Sequence, residues 1–369
     1  MKSKIIVCIG FIAVLLGCKD SSLAANIDER IYKPIAEYGN TLEIDHKLQR
    51  VDFSNKEAYS SDVMKAQQDG ALGAITLKVV DQDGHPVSNA TVRGGFYNHD
   101  KKGYGFNKSV DANGFVELKN LCVEDLNFSI DKDGYYRTSM SYWFFKAGYD
   151  CAKDGRWIPW NPTIEVVLKR KINPVAMYVA TYNSKDHSIA YVDREIGFDL
   201  FENDWVEPEG KGKHADFYVL FHWDGAMYHD YNGSNLTLIF KDRHAGAYIA
   251  QTDDFSAFKS PYAANKDELY LNKIEFFYKR GRKASESVDG QLKANQCLIL
   301  RIRTKEDEFG KLIEAHYAKI YAPMDFGYAL KTPGSMEMRY YLNPNKNDTN
   351  LEADTSKNLL NSRDVGFQP

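Results

Sequence analysis

The 369-residue chain is long enough for about two domains of ordinary size, which excludes a single small module. Its net charge is −4, from 47 Lys and Arg against 51 Asp and Glu interspersed along the chain. No basic stripe that could neutralise phosphates is present, which excludes nucleic acid as a partner. The 24 Tyr and 20 Phe, with the β-branched residues, favour pleated, half-buried surfaces and predict an all-β chain.

The first element is an export signal over residues 1–18. In MKSKIIVCIGFIAVLLGC, Lys2 and Lys4 precede an uncharged apolar run from Ile5 to Gly17, too short to span a bilayer. Its end, Leu15-Leu16-Gly17-Cys18, resembles the lipobox of bacterial lipoproteins, which implies acylation of Cys18 and a lipid bilayer as a partner. Lys19 stands where an Asp commonly retains such proteins at the inner membrane, so the resemblance points to the outer membrane. The alternative is ordinary signal cleavage at SLAAN, residues 22–26, which gives a fully secreted chain.

Residues 19–69 read as a polar tether with one helix-competent stretch from Asn55 to Gln68. From Gly73 the texture changes to alternating segments, AITLKVV, PVSNATVRGGF, FVELKNL and LNFSI, separated by turns: a series of short antiparallel strands. Three of the turns are Asp-x-Asp/Asn-Gly, beginning at Asp81, Asp111 and Asp131. As calcium loops they would need a carboxylate two residues upstream and a Glu at position twelve. Val79, Ser109 and Ser129 stand upstream, and Ala90, Asn120 and Met140 downstream, so these are hairpin turns.

ITLKVVDQDGHPVSNATV, KSVDANGFVELKNL, FSIDKDGYY and TIEVVLKR together resemble the carboxypeptidase regulatory-like domain. That resemblance spans residues 70–172 and rests on Gly84, Pro86, Val87, Ala90 and Val92, the turn at Asp111 and Gly114, and the pair Gly134-Tyr135. It implies a prealbumin-like, Ig-type sandwich of about seven strands that is non-catalytic. Beyond Tyr135 the chain departs from the pattern with a long aromatic connection in which Trp143, Trp157 and Trp160 are candidates for stacking on a sugar or peptide. The alternative is a loop that buries its own aromatics. Cys122 and Cys151 are a candidate disulfide inside this domain, with Cys297 left as a buried thiol; three free buried thiols are the alternative.

Residues 173–343 continue as strands, among them VAMYVATY, DFYVLFHW, NLTLIFK, LNKIEFFYK, NQCLILRIR, EAHYAKIYA and EMRYYLN. They predict a second antiparallel β-sandwich-like domain of unknown function. Residues 344–369 are a polar strap that lies extended or frays. The best constellation of reactive types is HADFYVLFHWDGAMYHD. His214 and His222 would sit roughly 27 Å apart on one strand, too far to share a metal. Asp216, Tyr218, His222 and Asp224 share a face expected to be solvated. His222, Asp224 and His229 are the candidates for holding an ion, but their spacing matches no metal signature, so neither metal nor other cofactor is expected. Glu195, Asp199, Asp204 and Glu207 are candidates for a glycosidase pair only by nearness in sequence. No nucleophile elbow, zincin helix or P-loop is present. The expected role is binding or structural support in the cell envelope, with a glycan or envelope protein as partner and no catalytic residue assigned. The alternative is a secreted glycan hydrolase with its site in the second domain.

Overall fold

The computed structural model describes residues 59–99, 104–146, 149–180, 187–223, 232–253, 255–280, 288–329, 332–360 and 369. Cys18, Asp224 and His229 lie outside the described residues. The chain is nearly all β, in several antiparallel sheets. Among the described residues no helix is long and apolar enough to cross a membrane.

The first domain opens with a helix, α1 (Ser61–Asp69), which overlaps the Asn55–Gln68 stretch expected to be helical and runs one residue past it. Ser60 caps it, its Oγ accepting from the Val63 amide at 3.3 Å, and Gly70 at φ 84° ends it. Val63 and Ala66 are buried in the sandwich core, so the polar tether gives way to ordered structure before residue 70. Nine strands follow: β1 (Ala71–Asp81), β2 (Thr91–Phe96), β3 (Tyr104–Ser109), β4 (Phe115–Cys122), β5 (Asp125–Asp131), β6 (Thr138–Trp143), β7 (Ala152–Lys153), β8 (Arg156–Trp157) and β9 (Thr163–Leu168). One sheet runs β4-β1-β8-β7 with β9 also paired to β1, and the other runs β3-β2-β5-β6. Period-two alternation puts Ile75, Leu77 and Val79 of β1 against Val92, Leu126, Phe128 and Ile130 across the core. The β1–β9 pairing is parallel, which the alternation could not reveal because period two is the same in both senses.

The Asp-x-x-Gly segments are turns of the expected kind. Asp81 Oδ1 accepts from the Asp83 and His85 amides, both at 2.9 Å, and Asp111 repeats this with Asn113 and Phe115. Gly84, Gly114 and Gly134 take φ values of 80–86°. Asp81, Asp83 and His85 do bring their ligand atoms together, but Arg170 fills that place with its guanidinium against both carboxylates. Burial pushes the Asp81 carboxyl up, yet the two amides and Arg170 outweigh it and leave it below the usual range. A different constraint acts at Gly94, in β2 between β3 and β5, where a Cβ would collide with the Asn127 carbonyl oxygen. Gly94→Ala is therefore expected to destabilise the first domain by about 3 kcal/mol, seen as a loss of melting temperature by calorimetry.

Among the described residues the second domain has thirteen strands. The first six are β10 (Val175–Ala180), β11 (His187–Ile189), β12 (Glu195–Asp199), β13 (Asp204–Trp205), β14 (Phe217–Trp223) and β15 (Asn232–Ile239). They are followed by β16 (Gly246–Gln251), β17 (Lys273–Arg280), β18 (Val288–Asp289), β19 (Gln296–Glu306), β20 (Leu312–Ala329), β21 (Thr332–Leu342) and β22 (Ala353–Asn358). One sheet runs β16-β19-β20-β21-β10-β22 with β11 on β21; the other runs β13-β12-β14-β15-β17-β18. Phe198, Phe217, Val219, Phe221, Leu236 and Leu238 of the second meet Leu298, Leu300, Ala318, Ile320 and Tyr340 of the first. The larger sheet is buried on its other face too. There Met177, Cys297, Ile299, Tyr317, Tyr321 and Tyr341 pack with Ala264, Tyr270, Leu351 and Ala353, from segments that fold back over the sheet. The strap thus supplies a strand, β22, parallel to β10, and carries two core residues.

The two domains are joined by more than the linker. Residues 255–257 run beside the start of β6 as an added strand: Ser139 N donates to Phe255 O and Ala257 N to Arg137 O. Tyr136 stacks on Phe258 at 5.0 Å and donates its hydroxyl to buried Glu352 at 2.7 Å. Glu352 also accepts the amides of Ile172 and Asn173, so this one carboxylate ties the first domain, the linker and the strap together. Lys169 reaches across to the carbonyls of Phe258 and Ser260 at 3.1 and 3.2 Å.

Candidate functional site

The site is built on a buried ion cluster. Asp199 at the end of β12 and Asp216 just before β14 are both sealed from solvent, and Arg303 of β19 bridges them. Its Nε lies 2.7 Å from Asp216 Oδ1 and its Nη2 2.7 Å from Asp199 Oδ1. The guanidinium is stacked 3.8 Å over Phe201. Arg303 takes φ 49° at a bulge where β19 slips against β20, a conformation that costs energy for a residue with a β-carbon.

The carboxylates also organise the chain around them. Asp199 accepts from the amides of Phe201 and Glu202 through Oδ1 and from Lys213 and His214 through Oδ2; Asp216 accepts from Leu200. Burial raises the Asp216 carboxyl to about 6 against the opposing pull of Arg303. The polar face of β14 is therefore not uniformly solvated as the alternation suggested: Asp216 is buried because Arg303 arrives from the other sheet.

Above this floor lies a cleft of about 800 Å³ lined from both sheets. One wall comes from β12, the 206–215 loop, β14 and the turn after β15, and includes Glu195, Glu207, Glu209, His214 and Asp242. The other comes from β19 and β20 with Lys346, and includes Arg303, Lys305, Glu314 and His316. Three of its carboxylates are matched with cations: Glu195 with Lys241 at 2.7 Å, Glu209 with Arg194 at 3.5 Å, and Glu314 with Lys305 and Lys346 at 2.9 and 3.0 Å. His316 is held below its ordinary range by burial, reinforced by Arg303 and Lys346, and so stays neutral at pH 7.

Of the residues singled out by sequence, Glu195, Glu207 and His214 line this cleft. Asp199 belongs to the floor, and Asp204 serves the local turn, accepting from the Trp205 amide. Arg303, Lys305, Glu314, His316 and Lys346 were not singled out. Arg303 ends what reads as an ordinary strand, and its partner Asp199 stands 104 residues away, beyond any local spacing. His222 is on the exposed end of β14, its Nδ1 2.6 Å from Asp193 Oδ1, well separated in register from His214.

The tryptophans do not form one stacking face. Trp157 is fully buried, because the β7–β8 hairpin folds onto the core and the indole donates to Cys122 O at 2.9 Å. Trp143 ends β6 half-buried. Trp160 is 36% exposed, with Lys119 Nζ 5.2 Å and Arg156 Cζ 4.9 Å from its ring centroid. The bridge between Cys122 and Cys151 is not formed: both are buried free thiols, as is Cys297. Burial pushes Cys122 and Cys297 up to about 12, so neither is a nucleophile at neutral pH.

No family model matches the sequence, and no curated protein matches it. Among solved structures, 3-chlorocatechol 1,2-dioxygenase from Rhodococcus opacus is 13% identical with a TM-score of 0.22, over 28% of this chain and 61% of that one. The chain thus spans less than two thirds of that enzyme's length. BcpA, the major pilin subunit of Bacillus cereus, is 10% identical with a TM-score of 0.21, over 76% of this chain and 100% of that one. A streptococcal ancillary pilin is 12% identical with a TM-score of 0.19, over 67% of this chain and 62% of that one. At these scores the likenesses carry no inference about activity or assembly.

Proposed function

We propose that this chain is a cell-envelope protein, anchored in the outer membrane through an acylated Cys18, whose second domain binds its ligand in the charged cleft. The observation that carries the binding role is the cleft's construction. Its floor is pinned by the Asp199–Arg303–Asp216 cluster, and Glu195, Glu209 and Glu314 on its walls are held in ion pairs, a preorganised surface rather than a set of reactive groups. Trp160 of the first domain is a secondary contact for a glycan or peptide. The junction through Glu352 supports a first domain that is docked against the cleft-bearing domain.

The anchor is tested by palmitate labelling of the expressed protein. Wild type is expected to incorporate label and Cys18→Ala to lose it. An unlabelled wild type with a new N-terminus near Asn26 would replace the lipoprotein with a secreted protein. The second reading, a glycan hydrolase, is favoured by one observation: Glu195, Glu207 and Glu209 stand on one wall of the cleft. Binding predicts that bound oligosaccharide is recovered intact; hydrolysis predicts reducing ends that disappear in Glu207→Gln.

A further inference from the structure

The two walls of the cleft carry opposite charge. The wall from the six-stranded sheet holds the acids Glu195, Glu207, Glu209 and Asp242 against Arg194 and Lys213, a formal charge of −2. The wall from β19, β20 and the strap holds Arg303, Lys305 and Lys346 against Glu314, a formal charge of +2. Lys241 behind Glu195 brings the acidic wall to −1. Asp199 and Asp216, buried beneath Arg303, offset its charge, so the exposed excess on the basic wall is that of Lys305 and Lys346 over Glu314, a formal +1. Arg303 spends Nε and Nη2 on the buried carboxylates and still lines the cleft, with Nη1 outside that network. It is therefore a donor fixed in place before any ligand arrives.

Aromatic surface in the cleft is scarce. Among the described residues that line it, Tyr218 is the one Phe, Trp or Tyr, and Lys241 Nζ already sits 3.6 Å over that ring. A neutral sugar that binds by stacking finds little here, whereas a ligand with separated charges finds a complementary wall for each. The volume falls within the range of about 300–1,000 Å³ that suits a small ligand or short segment.

We infer that the cleft binds a peptide segment bearing both an acidic and a basic group, the acid seated on the Arg303, Lys305 and Lys346 wall and the base on the Glu207 and Asp242 wall. This rests on the reading of the cleft as the ligand site. The test is selection of displayed random heptapeptides on the full chain, followed by titration of a selected synthetic peptide. Three proteins are compared: wild type, Lys305→Gln with Lys346→Gln, and Glu207→Gln with Asp242→Asn.

Selected peptides are expected to carry both signs, and each double variant to weaken binding by about tenfold or more at unchanged melting temperature. Wild-type binding should also fall steeply with salt. Enrichment of peptides of a single sign, enrichment indifferent to both variants, or no enrichment overturns the inference. A parallel titration with an N-acetylglucosamine tetrasaccharide separates the two levels. Sugar binding that responds to the cleft variants, with no peptide selected, sinks the peptide ligand and keeps the cleft as a site. Peptide and sugar binding that both ignore the variants sinks the site as well.

Discussion

Replacing Arg303 with methionine is expected to destabilise the second domain by about 3–5 kcal/mol at pH 7, because it strands two carboxylates that have no route to solvent. Asp199 and Asp216 are each held at 2.7 Å by this one guanidinium, and their side chains are 2% and 0% exposed. Methionine keeps a β-carbon at φ 49°, so the backbone cost is unchanged and the substitution isolates the charge. The loss should depend on pH with a definite sign. Asp216 titrates at about 6 when folded, against an ordinary 3.8. Its favourable contribution is thus fully present below about 4 and is lost as pH rises through about 6. Without Arg303 the carboxyl takes up its proton still more readily, so the variant should lie closest to wild type near pH 5 and furthest from it at pH 7 and above. Urea melts of both proteins at the two pH values measure this. Asp216→Asn in the Arg303→Met background should recover part of the loss; an additive second loss would show that the two residues do not act as a pair.

Lys319 is expected to respond in the opposite direction: Lys319→Met should stabilise the protein by about 1–4 kcal/mol at neutral pH. The ammonium is fully buried in the middle of β20, among Phe258, Tyr321 and Tyr341 with ring centroids 4.6–5.0 Å away. Its hydrogen bond among the described residues is to a neutral hydroxyl, Ser260 Oγ at 3.1 Å. Burial drives it well below the ordinary 10.5, and neighbouring Lys169 adds to that. Folding must therefore shed a proton or bury a charge, and methionine of similar length avoids both. Wild-type stability should rise with pH between the folded value and 10.5, where the unfolded chain alone holds the proton. The advantage of Lys319→Met is accordingly largest at low pH and smallest near pH 10, which thermal melts across that range would read. A variant less stable than wild type at every pH would mean that the aromatic cage and Ser260 compensate the ammonium in full. The contrast with Arg303 is one of partners: two carboxylates accept from Arg303, and a hydroxyl accepts from Lys319.

The sequence by itself determined the strand class, the two faces of β14 and the three Asp-x-x-Gly turns. Each is a local property: period-two alternation, Gly at positive φ and, at Asp81 and Asp111, a side chain that accepts from amides two and four residues on. Alternation on β14 correctly put Phe217, Val219 and Phe221 inside. It failed for Asp216 and Lys319, since it sorts residues into two faces and cannot say what covers each. Lys319 shares its face with Tyr317 and Tyr321, and that face is sealed by a returning loop and strap. Likewise Trp157 could be placed in an aromatic connection but not assigned to core or surface, because that depends on a hairpin folding back over β1. Only the tertiary structure decided the cleft and the domain junction. Their defining contacts join residues far apart in the chain, Arg303 with Asp199 across 104 positions and Tyr136 with Glu352 across 216. No spacing rule reaches that far: such contacts are fixed by which strands pair and which sheets pack, not by the residues between them.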